Sequence, residues 1–122
     1  MKNIISAPLE AVKDTIQIPS SKSISNRMLI IRALAGSAAS LWNLSDSDDT
    51  AVLSLALDKD SEVKDVGHAG TSMRFLTAYF SARQGQVILT GSERMKQRPI
   101  GPLVDALKQI GARIEFLENE GC

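Results

Sequence analysis

The order of hydrophobic and polar positions divides the chain into short strands alternating with amphipathic helices. Thr15-Ile16-Gln17-Ile18 alternates polar and apolar and ends at Pro19, which predicts a strand. Ser20 and Ser21 offer N-caps for a helix over about Lys22 to Ala35, with Gly36 at the C′ position. Past its first turn this helix is apolar almost all round (Met28, Leu29, Ile30, Ile31, Ala33, Leu34), which predicts burial on every side. Ser40 to Leu44, holding Trp42, predicts a short strand. Asp46, Asp48 and Asp49 then precede a helical run through Val52, Leu53, Ala56 and Leu57, and helix capping is the simplest use of those carboxylates.

Ser61 to Val66 is a brief strand candidate, followed by the turn Gly67-His68-Ala69-Gly70. Thr71 and Ser72 open a third helix with Phe75, Leu76, Tyr79 and Phe80 on one face and Gly85 beyond its end. Gln86 to Thr90 predicts a strand. Pro99 suits the first turn of a fourth helix, which carries Ile100, Leu103, Val104, Leu107 and Ile110 at helical spacing and stops at Gly111. Ala112 to Leu117 alternates again and predicts a last strand. Trp42 and the Phe75/Tyr79/Phe80 face are most simply core. Strands and helices interleave, so the expected class is α/β (α+β), built from βαβ pieces.

Composition narrows the functions open to such a fold. The 122 residues suffice for one modest core, with 43% apolar and 23% charged residues in an ordinary globular balance. Fourteen basic residues match fourteen acidic ones, so no global charge draws the chain to nucleic acid or to a membrane surface. An apolar start at Met1 to Ile5 is broken by Pro8, Glu10, Lys13 and Asp14, short of a signal-peptide core. The only cysteine is Cys122, which excludes an internal disulfide and fits a reducing compartment, so the expected location is cytoplasmic.

Local charge is less ordinary. A helix N-terminus carries partial positive charge and favours acidic residues, yet three helix starts here hold cations. The first has Lys22 and Arg27 amid Ser20, Ser21, Ser23 and Ser25. The third has His68, Thr71, Ser72 and Arg74 beside a glycine-bounded turn, and the fourth is preceded by Arg94, Lys96 and Arg98. Singly, each is more simply a capped helix with solvated arginines. Three in one short neutral chain favour a small polyanionic ligand, held by dipole, N–H groups, hydroxyls and cations together. The pattern predicts phosphate or carboxylate binding and no particular reaction.

The same residues carry a resemblance. Ile18-Pro19-Ser20-Ser21-Lys22-Ser23-Ile24-Ser25-Asn26-Arg27 is similar to the (L/I)-P-G-S-K-S-x-S-N-R signature of 5-enolpyruvylshikimate-3-phosphate (EPSP) synthases. Leu44 to Asp49 resembles that family's L-x-D-S-D-D, Gly67 to Arg74 its G-N-A-G-T-x-M-R, and Gly91 to Ile100 its G-x-x-R-M-x-x-R-P-I. The related UDP-N-acetylglucosamine enolpyruvyl transferases have Lys-Asn where this chain has Lys22-Ser23 and lack the following S-N-R. That favours the shikimate branch. A non-catalytic anion-binding module reusing the half-site is the alternative from another class.

The resemblance implies two lobes, each of three βαβαββ repeats, closing on shikimate 3-phosphate and phosphoenolpyruvate without a cofactor. It places residues 1–20 in the other lobe and 21–122 in part of the shikimate-3-phosphate-binding lobe. Lys22 is then expected to contact both substrates, Ser23 and Arg27 to bind shikimate 3-phosphate, and Gly70 (through its N–H) and Arg98 to bind phosphoenolpyruvate. His68, Thr71, Arg74 and Arg94 are expected around them, with no catalytic acid or base and no metal in this segment. The chain departs from the pattern at His68, where the family has Asn, and at Ser20, where it has Gly. Only eighteen residues separate Asp49 from His68, which predicts a shortened first repeat. An N-terminal fragment is expected, inactive alone and prone to self-associate through uncovered edges and apolar patches.

Overall fold

Five helices and a parallel pair of three-residue strands make up the described elements. The computed structural model describes residues 2–8, 10–58 and 60–118; Met1, Leu9, Lys59 and residues 119–122, with Cys122, lie outside the described residues. The elements run α1 (Lys22–Leu34), α2 (Asp48–Asp58), β1 (Val63–Asp65), α3 (Gly70–Ser81), β2 (Ile88–Thr90), α4 (Glu93–Lys96) and α5 (Gly101–Gln109). β1 and β2 pair in parallel, Val63 opposite Ile88 and Asp65 opposite Thr90, and α3 makes the crossover. The result is one βαβ unit preceded by a helical pair and followed by two helices. The class is mixed α/β with a small parallel sheet.

The core forms where α1, α2 and α3 meet. Leu29, Leu53 and Leu76, one from each helix, have no exposed surface and cluster with Ala56, Val66 and Met95. Burying each such leucine contributes about 1.5–3 kcal/mol. Gly36, Gly85 and Gly111, expected to end helices, all adopt positive φ (58°, 110° and 100°) just past the ends of α1, α3 and α5.

Three predicted strands do not form. Residues 10–19 are exposed, with Ile16 at 80% and Ile18 at 84%, and no strand among the described residues pairs with them. Residues 40–44 are likewise irregular, and Trp42 is 88% exposed rather than core. Residues 112–117 keep their alternation, with Ala112, Ile114 and Phe116 half-buried between exposed neighbours, but make no ladder with β2. Side-chain alternation was read correctly there; a partner for the backbone was not supplied.

Two helical expectations also change. α1 buries Leu29 but leaves Ile24, Met28, Ile31 and Leu34 exposed, because its helical neighbours α2 and α3 cover one side only. The fourth helix begins at Gly101 with Pro102 in its first turn, while Pro99 lies outside it, and the separate short α4 precedes it. Among the described residues no helix is long and apolar enough to cross a membrane.

Candidate functional site

The first signature divides between two faces of α1. Ser21 caps the helix, its Oγ accepting from Ile24 N at 3.4 Å, and no acidic residue stands in the first turn. Ser25 and Asn26 point inward. Ser25 Oγ accepts from Ser45 N at 2.8 Å, and Asn26 Oδ1 accepts from Thr50 Oγ1 at 2.8 Å. With its hydrogen so committed, Thr50 Oγ1 accepts from Ser47 Oγ at 3.0 Å. This buried polar network fixes α1 against the start of α2. The exposed residues of the signature, Lys22, Ser23 and Arg27, are thereby held at one place and in one orientation.

Arg27 Nη1 donates to Ser23 O at 2.9 Å, one turn back, and its guanidinium lies 6.0 Å from the Phe75 ring centroid of α3. Lys22 Nζ pairs with Asp49 Oδ2 at 3.1 Å. Asp48 and Asp49 occupy the first turn of α2, where carboxylates complement the helix dipole. Sequence reading assigned Asp49 to that local task alone and missed its partner on α1. The acidic signature directly precedes a helix, but nothing in its spacing reveals a partner 27 residues away.

The second half lies at the carboxyl ends of β1 and β2. Gly67 turns the chain at φ 52°, its N–H bonded to Asp65 Oδ1 at 2.8 Å. α3 then starts at Gly70 with no side-chain cap, leaving its first N–H groups for an external acceptor. The Arg98 guanidinium lies against this start. A Cβ added at residue 70 would overlap it, with Cζ 3.0 Å away, so any side chain there requires this guanidinium to move. Arg74, one turn into α3, donates from Nη2 to Pro99 O at 2.9 Å and steadies the segment that bears Arg98.

The two loops are joined. Val66 N donates to Thr90 O at 2.9 Å and Ser92 N to Gly67 O at 3.0 Å. A side chain on Gly91 would come within 2.7 Å of Gly67 O. Ser92 Oγ caps α4 by accepting from Met95 N at 3.2 Å and shares a hydrogen bond with His68 Nδ1 at 2.9 Å. Ser72, fully buried in the first turn of α3, donates from Oγ to Asp49 O at 3.0 Å and ties α3 to α2.

The Lys22–Asp49 and Ser72–Asp49 bonds bring the starts of α1, α2 and α3 together, and Arg98 lies against Gly70 at the start of α3. Thr71 and Arg74 are exposed at the α3 start. Arg94 is exposed on α4. Lys96 pairs with Glu93 at 3.2 Å and with Glu118 at 3.0 Å. Those hydrogen bonds, Glu118's first, hold its ammonium above the ordinary lysine range.

The profile of the family described as EPSP synthase (3-phosphoshikimate 1-carboxyvinyltransferase) matches residues 7–59 and 54–122. A 3-phosphoshikimate 1-carboxyvinyltransferase of Bacteroides fragilis (strain YCH46) is 55% identical over 121 residues, covering 99% of this chain and 29% of its own length. Enzymes of that name from Shewanella halifaxensis and Vibrio cholerae (strain M66-2) are each 40% identical, over 93% and 98% of this chain and 33% and 34% of their own lengths. The chain thus spans about a third or less of the curated relatives it matches. The two family matches meet within residues 54–59, in the interval between Asp49 and His68 where the sequence is short. The V. cholerae comparison extends over 146 positions against the 122 residues here, whereas the B. fragilis one needs 121. With 55% identity along almost its whole length and the family profile matched on both sides of that interval, the chain belongs to the EPSP synthase family.

Proposed function

We propose that this chain supplies the anion-holding part of a site that transfers the enolpyruvyl group of phosphoenolpyruvate to the 5-hydroxyl of shikimate 3-phosphate, releasing phosphate. The observation that carries the reading is the apposition of Arg98 to Gly70 at an uncapped helix start, within a match to the EPSP synthase family. In this reading Ser23 and Arg27 hold the phosphate of shikimate 3-phosphate. Arg98 and the Gly70 N–H hold phosphoenolpyruvate, Lys22 meets both, and His68, Thr71, Arg74 and Arg94 surround them. Residues 1–20 belong to the other lobe, in keeping with the exposure of Ile16 and Ile18.

The work of such residues is positional and electrostatic. The C–O bond forms between the 5-hydroxyl oxygen and C2 of phosphoenolpyruvate as the hydroxyl gives up its proton and C3 gains one; C3 then loses a proton as the C2–O bond to phosphate breaks. Two phosphates and a carboxylate crowd this centre, so fixed cations and N–H donors hold them without reorganising as charge shifts. Proton transfer is assigned to none of these residues, so the 122-residue chain alone is expected to show no turnover.

Titrating shikimate 3-phosphate into the isotope-labelled chain by NMR tests the binding. Millimolar affinity is expected, about −4 kcal/mol. Arg27→Ala removes a charge-assisted pair worth roughly 1.5–3 kcal/mol and should abolish detectable binding. Lys108→Ala, on α5 beside Phe116, should leave it intact. Equal loss in both variants would mean diffuse electrostatics, and retention in Arg27→Ala would exclude the α1 start.

A further inference from the structure

Lys22 stands at a helix end that repels it, on a side chain with four rotatable bonds, half exposed to solvent. Its one partner among the described residues is Asp49, whose carboxylate is only a quarter exposed. Asp49 is not free to follow the lysine. Its own backbone oxygen accepts from the fully buried Ser72 hydroxyl at 3.0 Å, and its neighbour Thr50 is bonded to buried Asn26. The Asp49 backbone is therefore tied to the starts of both α1 and α3, and its short side chain reaches Lys22 from that fixed point.

We infer that Asp49 is a positioning residue that aims the Lys22 ammonium into the space shared by the N-termini of α1 and α3. The inference rests on the proposed role of Lys22 toward both substrates. A carboxylate beside an anion site has an electrostatic cost, since it repels the ligand. Asp49 offsets that cost by holding Lys22 in a single direction, so that the lysine need not be ordered by the ligand.

The test compares two neutral replacements, because charge and positioning then separate. Asp49→Asn keeps an acceptor for Lys22 Nζ, whereas Asp49→Ala keeps none. Shikimate 3-phosphate and inorganic phosphate are titrated into each variant, in the Lys22 and in the Lys22→Ala background. Asp49→Asn should bind about fivefold more tightly than Asp49→Ala when Lys22 is present, and equally when it is absent. A difference that persists in Lys22→Ala would mean that Asp49 merely supports α2, and equal affinities with Lys22 present would also overturn the inference.

Ligand-free spectra give a second measurement. The Lys22 ε-methylene signal should keep its wild-type position in Asp49→Asn and move to that of a freely rotating lysine in Asp49→Ala; the same position in both would overturn positioning whatever binds. Phosphate binding without shikimate 3-phosphate binding would refute the proposed substrate, while the variant comparison still decides the role of Asp49.

Discussion

Arg98 lies where a side chain on Gly70 would have to be. The guanidinium covers the first turn of α3, and an added methyl would collide with it. Gly70→Ala tests this because its effects on stability and on binding have opposite signs. Alanine is the better helix former by up to about 1 kcal/mol. The melting temperature should therefore hold or rise, while phosphoenolpyruvate binding falls at least tenfold as Arg98 is displaced. Unchanged phosphoenolpyruvate shifts in an NMR titration would show that this contact is not used.

Thr50→Val removes the hydroxyl that satisfies Asn26 at nearly equal volume. Asn26 is 1% exposed and its Nδ2 already lacks a partner, so the carboxamide would be left wholly unsatisfied. A loss of about 1–3 kcal/mol is expected in urea unfolding, since the desolvation cost of Asn26 is no longer offset. A neutral effect would mean that the network between α1 and α2 is not what holds the first signature in place.

Ile24, Met28, Ile31 and Leu34 present an apolar surface on α1 that the described residues leave exposed. Such a surface predicts concentration-dependent self-association of the chain. Sedimentation should show dimers or larger species, shifted toward monomer by Ile31→Glu. A strictly monomeric wild type at high concentration would contradict this.

Lys96 links α4 to the segment after α5 through Glu118. Its folded-state pKa is raised, so its contribution is complete below the ordinary lysine value of 10.5 and is lost as pH rises through the folded value. The Glu118 side-chain signals should shift with lysine deprotonation only at that alkaline limit, and Lys96→Gln should abolish the shift. A lysine-dependent step near neutral pH would contradict the assignment.

Local chemistry sufficed wherever an element depends on its own residues. Capping serines, helical spacing and terminal glycines located α1, α2 and α3 within a few residues. What depends on a second segment was not legible. Residues 112–117 alternate like a strand, yet only a hydrogen-bonded neighbour makes one. The apolar residues of α1 lack a polar face, so periodicity could not show that only the Leu29 side is covered. Asp49 reads locally as an acidic first-turn residue. Its pairing with Lys22, and through Ser72 with the start of α3, exists only because three helix ends meet, and contacts between residues distant in the chain are decided by packing.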